Sequence, residues 1–577
     1  MKVKLAKTAG FCMGVRRAIE MVLAEANKGK GPIYTYGPLI HNNQVLELLE
    51  SKGIKGLEKL EDLKEGVLFI RAHGISPRER KSLKSSGLKL IDATCPRVAW
   101  VQSIIRYHTN KGYSAVITGD MDHPEVIGLV GYANGRAHVV NSVDEIANLP
   151  DSEKMFLVAQ TTQDERKFLE IEKTFKDRFP DGLVFHTICD ATHNRQEEVR
   201  SFNGHVDGVV VVGGYHSGNT QRLVQVSVAS GMRTFHVERA SDLDRASLSS
   251  MDVVGVTAGA STPNWMIREV LKEIEAIHSL KETILGRGIK QVLKFLFLSN
   301  LGIAFGAFSL AHGAAVLSGR TPDFILPSIA FLYIYAMHVV NRFLDRKAST
   351  YSDPERANFY EKNKLFLILT TIASMIGAFV LSYHLGATFF LTIAGLSLLG
   401  IIYSIPIVPG RLRHLWRYSK IKDIPGSKTL SMALAWGVVI ALLPVLKSEH
   451  VRISATVVSF FFVFPMAYVI SALFDVFQVQ GDLIVGAETV PVILGEKRTL
   501  VLLKWILILS SVLLGVAPLL GWVGPFSYLL LLCFFSLALC LLTYERGWLH
   551  PGIRMEAMLE GNFILAGLLG LIWQLAL

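Results

Sequence analysis

Cysteine is scarce in this sequence. Five occur among 577 residues, and no two of them form a C-x-x-C pair. This scarcity argues against a disulfide framework, and against a structural zinc site, which usually takes four ligands and favours closely spaced cysteine pairs. The N-terminus, MKVKLAKTAGF, also lacks the long apolar core of a signal peptide. We therefore expect the N-terminal half to stay in the cytosol, where thiols remain reduced.

Long apolar runs are absent from the first half of the chain and dominate the second. Residues 1 to about 280 mix both charges with short apolar stretches, and the composition changes from about residue 291 onward. A chain of this length exceeds one ordinary domain. We predict a soluble domain over residues 1–278, a helical linker over 279–292 and a membrane domain over 293–577. Basic membrane loops explain much of the net charge of +10, so no nucleic-acid partner is expected.

The soluble half repeats a strand–turn–helix pattern with a polar residue in each turn. Nine such steps in three sets of three predict three α/β units with parallel sheets. The first set carries Cys12, His41 and His73; the second carries Cys95, His123 with Glu125, and Thr161; the third carries Cys189, Ser217 with Asn219, and Ser261. Ligands of open parallel sheets bind beyond the carboxyl ends of the strands, where all of these residues lie. If the three units face one another, the three cysteines meet at one point.

Two interpretations of the converging cysteines remain open from the residues alone. Three thiolates can hold a four-iron cluster and leave one iron open to substrate, although such clusters normally take four cysteines. Alternatively, all three are small buried core residues. The remaining polar residues are mostly hydrogen-bond donors just before helix N-termini, an arrangement that suits a phosphate or diphosphate. Glu125, beside Thr161, is a candidate proton shuttle.

The motifs GFCMGVRRAI, RAHGIS, DATCPRV, HPEV, QTTQ, ICDATHNRQ, SGNTQRL and TAGAST together resemble the 4-hydroxy-3-methylbut-2-enyl diphosphate reductase family. The resemblance implies a trefoil-like fold with a 4Fe–4S cluster on Cys12, Cys95 and Cys189. It implies that two electrons, from reduced ferredoxin or flavodoxin, and two protons remove the substrate hydroxyl as water. The products are isopentenyl and dimethylallyl diphosphate, at the last step of the methylerythritol phosphate route to isoprenoids.

The same resemblance assigns roles to individual residues. Glu125 delivers a proton, with Thr161 beside it as a further catalytic and substrate-binding residue. The diphosphate is held by His41, His73, His123, Ser217, Gly218, Asn219 and Ser261. Gly218 departs from the family pattern, since many relatives carry serine there, and its backbone N–H would serve instead.

The second half contains apolar runs long enough to cross a bilayer of about 30 Å. We predict nine transmembrane helices, at roughly 293–314, 323–341, 364–384, 386–406, 430–447, 453–474, 499–520, 525–543 and 560–577. Lys and Arg are abundant in the loops predicted on the cytosolic side, whereas the opposite loops hold Arg320, Lys447 and Arg452. This asymmetry predicts a multi-pass protein of the inner, cytoplasmic membrane, in contact with its lipids.

Two helix ends on the cytosolic side carry acidic and amide side chains. Asn341 and Asp345 share one helix face, and Asp475, Gln478 and Asp482 share another. Carboxylates at membrane depth are costly and suggest function, such as Mg²⁺ ions that bridge a diphosphate. Ordinary solvated helix ends are the alternative.

These faces, with YSIP at 403–406 and GAETVPVILG at 486–495, resemble the UbiA superfamily of intramembrane prenyltransferases. The resemblance implies Mg²⁺ on Asn341, Asp345, Asp475 and Asp482, and transfer of a prenyl group from an allylic diphosphate to a lipophilic or aromatic acceptor. Arg342 and Gln478 each replace an aspartate of the family motifs. A catalytically silent anchor for the reductase is the competing hypothesis, and a transporter ranks below both.

Overall fold

The chain folds into two compact units, Met1–Glu282 and Thr283–Leu577, which are described separately. The structure is a computed structural model. It describes residues 2–29, 31–57, 65–151, 154–279, 284–344, 353–404, 421, 424, 426–447, 452–485, 487–546 and 552–576. Asp345 lies outside the described residues, as do several basic residues of the predicted cytosolic loops.

Twelve short strands of the first unit form three four-stranded parallel sheets. The strands are β1 Lys2–Leu5, β2 Ile33–Tyr36, β3 Ile54–Leu57, β4 Val67–Ile70, β5 Lys89–Asp92, β6 Ser114–Thr118, β7 Ala137–Val140, β8 Met155–Ala159, β9 Leu183–Val184, β10 Gly208–Val212, β11 Thr234–Val237 and β12 Val253–Ala258. The predicted architecture of three parallel-sheet α/β units is therefore confirmed.

The three sheets share one strand order. It is β3-β2-β4-β5 in the first, β7-β6-β8-β9 in the second and, read in the same direction, β11-β10-β12-β1 in the third. The N-terminal strand β1 thus completes the last sheet, with Lys2 beside Val253. The sequence analysis grouped the residues into three sets and placed a cysteine at the start of each set. This grouping does not match the membership of the three sheets. Each cysteine instead follows the fourth, edge strand of a sheet, because the chain is cyclically permuted relative to the repeat.

The inner strands are apolar throughout because helices cover both faces of a parallel sheet. Every residue of β4, β8 and β10 is buried. The covering helices are α1 Met13–Asn27, α2 Asn43–Ser51, α3 Pro77–Lys84, α4 Pro96–Asn110, α5 Pro124–Gly131, α6 Val143–Ile146, α7 Glu165–Arg178, α8 Asp190–Arg200, α9 Gly218–Ala229, α10 Arg245–Ser249 and α11 Asn264–Ser279, with a 3₁₀ turn at Ala240–Asp242.

Several of the candidate site residues are also the residues that start helices. Cys12, Cys95, His123, Cys189 and Ser217 are the N-caps of α1, α4, α5, α8 and α9. An N-cap stands beside the first backbone N–H groups of its helix, which have no partner within the helix. The fold therefore places thiols, imidazoles and hydroxyls together with unsatisfied amides at one end of each sheet.

The second unit is helical. Its helices are α12 Ile284–Leu298, α13 Leu301–Leu317, α14 Ile325–Leu344, α15 Pro354–Lys362, α16 Lys364–Leu385, α17 Ala387–Ser404, α18 Ser427–Gly437, α19 Ile453–Val485, α20 Val490–Leu494, α21 Glu496–Val516, α22 Phe526–Glu545 and α23 Ile553–Ala576. Helix α18 continues through a π turn, Val438–Leu442, and a 3₁₀ turn, Leu443–Lys447.

Within the described residues, 7 helices are long and apolar enough to cross a membrane, or 8 if one bent pair counts as a span. That pair is Gln291–Leu298 with Leu301–Leu317, bent by 75° at Asn300, whose φ of +64° ends the first helix. The segment Ala387–Tyr403 is an apolar helix of fewer than 18 residues. A membrane-spanning C-terminal unit is therefore supported, but the predicted count of nine spans is not confirmed.

Candidate functional site

Two strands at the middle of each sheet deliver the polar residues of the first unit. In the first sheet the chain runs from β2 outward to β3 and then returns to the other side of β2 as β4. The boundary between β2 and β4 is therefore a topological switch point, and the other two sheets have the same one. Open α/β sheets bind their ligands at such points. His41 and His73 follow β2 and β4, and His123 follows β6. The third sheet places its residues in the same way: Ser217 and Asn219 follow β10, and Ser261 follows β12.

The three cysteines occupy equivalent positions. The backbone N–H of Cys12 donates to the carbonyl of Ala260, that of Cys95 to Ala72 and that of Cys189 to Thr161, at 3.0, 2.9 and 3.0 Å. Each cysteine is thereby tied to the turn after the third strand of its sheet. The three thiols thus stand directly beside the turns that carry His73, Thr161 and Ser261.

The cysteine side chains also lie close to one another. Burial raises the pKa of Cys95 and of Cys189, and repulsion from the thiolate of Cys12 raises both further. Gly14, in the first turn of α1, faces Cys95 so closely that a Cβ there would lie 2.5 Å from its Sγ. All three thiols are free and partly exposed. They are therefore accessible to a ligand, which argues against the alternative that they are small buried core residues.

Three histidines meet at the same end of the sheets. The ring centroids of His41 and His73 are 4.5 Å apart, and His123 lies 5.7 and 5.6 Å from them. One nitrogen from each ring falls within 4.8 Å of the others. Burial lowers the pKa of all three, to about 4 for His123 and well below the ordinary value for His73. Within this site the three rings are therefore neutral near pH 7.

Several polar atoms that surround this cluster have no hydrogen-bond partner among the described residues. They are Nε2 of His41, Nδ1 of His73, and both Nδ2 and Oδ1 of Asn219. The Nδ1 atom of His123 accepts from the backbone N–H of Glu125, at 3.1 Å, so its Nε2 carries the proton of the neutral ring. Buried polar groups without partners are rare in native proteins and call for an explanation, such as a ligand.

Hydroxyl groups complete the ring of donors. Ser261 Oγ lies 3.2 Å from Ser217 Oγ and donates to the carbonyl of His41, at 3.0 Å. A side chain on Gly218 would bring its Cβ to 3.3 Å from His123 Nε2, so glycine leaves this part of the cavity open. Helix α9 begins here, and its first amides point toward the same space. The geometry suits an anion with several oxygens.

Glu125 is a buried acid in the same site. Only 2% of the residue is exposed, and burial raises the pKa of its carboxyl to about 7. Thr161 donates to both of its oxygens, from its backbone N–H at 2.7 Å and its hydroxyl at 2.9 Å. Near neutral pH the group therefore exchanges a proton readily while its orientation stays fixed.

Two residues of this site were missed by the sequence patterns. The carbonyl groups that accept from the three cysteines belong to Ala72, Thr161 and Ala260. The next residues are His73, Thr162 and Ser261, so Thr162 is the equivalent of the other two in the second sheet. Its hydroxyl lies 3.8 Å from a Cβ on Gly218. Aligning QTTQ with RAHG and GAST would have identified it. Arg195, buried in α8, donates to the carbonyl of Gly10 at 2.7 Å and lies near Cys12 and Cys189.

A second candidate site lies inside the helical unit. A cavity of about 110 Å³ is lined by the predicted residues Asn341, Asp475, Gln478 and Asp482. The other charged residues that line it are Arg342, Arg356, Lys428 and Glu560. The two predicted helix faces therefore meet at one cavity, at least for the members that the structure describes.

The two aspartates of this cavity are each 2% exposed and hydrogen-bonded to threonines. Asp475 accepts from Thr429 Oγ1 at 2.6 Å and faces Lys428 Nζ at 3.4 Å. Asp482 accepts from Thr489 Oγ1 at 3.1 Å. Both carboxylates are thus held in fixed positions on the cavity wall.

Comparison with known proteins gives matches for both units. Residues 3–275 match the family described as the LytB protein. A 4-hydroxy-3-methylbut-2-enyl diphosphate reductase of Geotalea uraniireducens is 45% identical over 281 residues, which cover 49% of this chain and 99% of the relative. The reductase structure from Plasmodium falciparum is 33% identical, with a TM-score of 0.46, and the match covers 47% of this chain and 87% of that one.

The helical unit has structural neighbours of its own. A UbiA homolog from Archaeoglobus fulgidus, bound to GPP and Mg²⁺, matches with a TM-score of 0.36 and 17% identity, over 48% of this chain and 99% of that one.

Proposed function

Through its N-terminal unit the chain belongs to the LytB family of 4-hydroxy-3-methylbut-2-enyl diphosphate reductases, and from this we propose the chemistry of its site. The unit reduces 4-hydroxy-3-methylbut-2-enyl diphosphate to isopentenyl and dimethylallyl diphosphate. Two electrons and two protons enter, the allylic C–O bond breaks, and the hydroxyl leaves as water. The electrons come from a reduced ferredoxin or flavodoxin.

Cys12, Cys95 and Cys189 fit an iron–sulfur cluster. Three free, partly exposed thiols at helix N-termini suit thiolate ligands, and the lack of a side chain at Gly14 lets the backbone of α1 lie against Cys95. Once bound, such a cluster would supply electrons and an open iron for the substrate oxygen. The protein's part is to hold the cysteines on three separate turns, each fixed by a hydrogen bond from its backbone N–H.

The diphosphate binds among the histidines. Oxygen atoms of the diphosphate provide hydrogen-bond partners for His41 Nε2, His73 Nδ1 and the side-chain amide of Asn219. Further donors are the hydroxyls of Ser217 and Ser261 and the first backbone amides of α9. Gly218 leaves room for this group, and Thr162 extends the same wall. Because the anion stabilises imidazolium, the neutral histidines take up protons as it binds.

Glu125 supplies a proton to the reacting allyl group. Its raised pKa keeps a large share of the carboxyl protonated near pH 7, and the two hydrogen bonds from Thr161 fix its direction. Thr161 also joins Glu125 to the cysteines, since its carbonyl accepts from the N–H of Cys189. Glu125 and Cys189 are therefore both held by hydrogen bonds to Thr161.

The observation that carries this proposal is that unpartnered histidine and asparagine atoms surround a buried acid beside three equivalent cysteines. The test is anaerobic purification of the full chain, iron analysis and turnover with reduced methyl viologen. We expect about four irons per chain. Cys95→Ser should lower both iron content and turnover, whereas Cys540→Ala, in helix α22, should change neither. Full iron and activity in Cys95→Ser would contradict the proposal.

For the membrane unit we propose transfer of a prenyl group from an allylic diphosphate to a lipophilic acceptor. The support is a cavity with apolar walls that also holds fixed cations and fixed carboxylates, as a diphosphate site requires. Asn341, Asp475 and Asp482 offer the oxygen ligands that Mg²⁺ prefers, and Asp345 belongs to the same helix motif in the sequence. Bound Mg²⁺ would neutralise the diphosphate as it leaves.

One observation favours a silent anchor instead. Arg342 and Gln478 stand in the cavity wall where the family motifs carry aspartates, and Lys428 already neutralises Asp475. The discriminating experiment incubates membranes that contain the full chain with radiolabelled prenyl diphosphates, with and without Mg²⁺. Prenylated lipid that depends on the chain and on Mg²⁺ supports the transferase, whereas its absence at every donor length supports the anchor.

We further propose the inner membrane as the location, with the reductase unit in the cytosol. The excess of Lys and Arg in one set of loops supports this orientation. The domain limits remain those proposed from composition: reductase 1–278, linker 279–292 and membrane domain 293–577. Protease protection of an epitope at the N-terminus in inverted vesicles would contradict the orientation.

A further inference from the structure

Glu560, in helix α23, is a buried carboxylate that the proposed diphosphate site does not use. The residue is 6% exposed, and its Oε2 has no hydrogen-bond partner among the described residues. A carboxylate in that condition is costly in any protein interior and more so in a membrane. It lines the same cavity as Asp475 and Asp482. A ligand with a hydrogen-bond donor would satisfy it.

Two nitrogen atoms on other helices of this cavity share the same condition. Nε1 of Trp436 and Nε2 of His338 are buried and have no partner in the described part of the chain. The Trp436 ring is held by Phe563 at a centroid distance of 4.5 Å, and His338 meets its edge at 6.2 Å. The cavity therefore offers one fixed acceptor, Glu560, together with a fixed N–H donor, the Trp436 indole.

The neighbouring charges do not satisfy Glu560. Arg356 is close enough to act on it electrostatically, but its guanidinium pairs directly with Glu556 and Asp353. Apolar side chains form another part of the wall, among them Ile303, Met432, Ile470, Phe474 and Phe563. Beside the charged part of the cavity, Glu560 and these apolar residues suit a second ligand that is mostly hydrocarbon and presents one polar group able both to donate and to accept.

We infer that Glu560 binds the hydroxyl of the prenyl acceptor and removes its proton. This inference rests on the proposed prenyl transfer and specifies its acceptor class, a lipophilic alcohol or phenol that reacts through oxygen. The acceptor oxygen forms a bond to C1 of the prenyl chain as the C1–O bond to diphosphate breaks. The electron pair leaves with the diphosphate, and the hydroxyl proton passes to Glu560. The products are a prenyl ether and inorganic diphosphate.

Gly302 provides a sharp test of this role. A Cβ at this position would lie 3.2 Å from Glu560 Oε2. Serine at 302 would therefore place a hydroxyl of the protein itself within reach of the carboxylate, in competition with the acceptor. Alanine at 302 adds the same Cβ without a hydroxyl and is the matched control.

The experiment uses membranes that contain the full chain, radiolabelled geranylgeranyl diphosphate, and native membrane lipids as the acceptor pool. Lipid products are identified by mass spectrometry and NMR, and donor binding is measured in parallel. Wild type should form a prenyl ether. Glu560→Gln should lose it by roughly 100-fold or more, with donor binding retained, as for a removed general base. Glu545→Gln, in helix α22 and away from the cavity, should behave like wild type.

The other possible results separate the role of Glu560 from the proposed prenyl transfer itself. A carbon-linked prenyl product in wild type would overturn the inference and leave the proposed transferase intact. No prenylated product in wild type would remove the proposed function and the inference with it. An ether that persists in Glu560→Gln would overturn the inference alone. If Gly302→Ser and Gly302→Ala lose transfer equally, or if Glu560→Gln lowers the melting temperature in detergent as much as it lowers transfer, Glu560 is structural.

Discussion

The histidines of the reductase site show what burial does to a single residue. Desolvation lowers the pKa of His41, His73 and His123, so an empty site holds neutral rings. A diphosphate placed among them favours the charged form and raises the pKa of each ring again. The bound state therefore holds more protons than the free state, and affinity should fall as pH rises through the pKa values that the rings have in the bound state.

Calorimetry of 4-hydroxy-3-methylbut-2-enyl diphosphate binding, in buffers of different ionisation enthalpy, measures this directly. We expect net proton uptake on binding, reduced in His123→Asn because one titrating ring is lost. His205→Asn is the control, since the His205 ring is exposed and its Nδ1 lies 3.1 Å from the carbonyl oxygen of Asn203, away from this site. Binding without proton uptake would show that the histidines stay neutral and act only as hydrogen-bond donors.

Glu125 is the complementary case, because burial raises the pKa of a carboxyl and keeps it protonated. With a pKa of about 7, the acid form is lost as pH rises above neutrality. Glu125→Gln keeps the shape but removes the proton, so turnover should fall roughly 100- to 10,000-fold. The alkaline decline of the wild-type pH–rate profile should also disappear. Equal losses of substrate binding and turnover would instead make Glu125 a binding residue.

Single residues could be predicted from the sequence where one motif carries both a chemical group and its position. The sequence patterns singled out the three cysteines, the three histidines and Glu125, and the structure brings them to the same end of the sheets. Thr162 was missed because the neighbouring Thr161 was assigned the role beside Glu125. Glu560 was missed because it stands alone near the start of an apolar run and belongs to no motif. Its significance comes from Trp436 and His338, which belong to other helices and are distant in sequence.

The helix N-terminus is the element from which the reductase site is built. Cys12, Cys95 and Cys189 each occupy the N-cap of a helix that follows an edge strand. The positive end of the helix dipole favours a thiolate there, which assists binding of a metal cluster. The sequence predicted strand, turn and helix correctly at each step. It could not show which steps share a sheet, because strand pairing is a long-range property.

Close packing of these helix starts gives a test at the same scale. A Cβ on Gly14 would lie 2.5 Å from Cys95 Sγ, so Gly14→Ala must displace that thiol. We expect iron content per chain and the visible absorbance of the anaerobically purified protein to fall, with the fold retained by circular dichroism. Gly288→Ala is the control, since no atom of the residues that the structure describes lies within 4 Å of a Cβ at that position. Unchanged iron in Gly14→Ala would show that Cys95 is not a ligand.

At the scale of the whole molecule, the chain joins a reductase unit to a helical unit that has candidate membrane spans and its own cavity. Reductase products have five carbons, so the fusion by itself does not identify the donor used in the membrane. An anchor would need one or two spans, whereas the described residues of this unit contain 7 candidate spans, four of which line a charged cavity. Fixed carboxylates in such a place are more than tethering requires.

The membrane cavity therefore supports a prediction that separates an active enzyme from an anchor. Asp482→Ala removes a buried oxygen ligand held by Thr489, and it should abolish prenyl transfer. Gln478→Asp adds a carboxylate to the same wall and should lower the Mg²⁺ concentration needed for half-maximal transfer, because it strengthens cation binding. Neither substitution should change reductase turnover, because the residues of the reductase site all lie in the other unit. Reductase activity therefore also reports the amount of folded chain.

Ser511→Ala, on the neighbouring helix α21, is a control that removes only a hydrogen bond to the Leu507 carbonyl. The measurement is prenylated lipid by mass spectrometry across a Mg²⁺ titration. If Asp482→Ala leaves the lipid profile unchanged and Gln478→Asp does not shift the Mg²⁺ dependence, the membrane unit is an anchor.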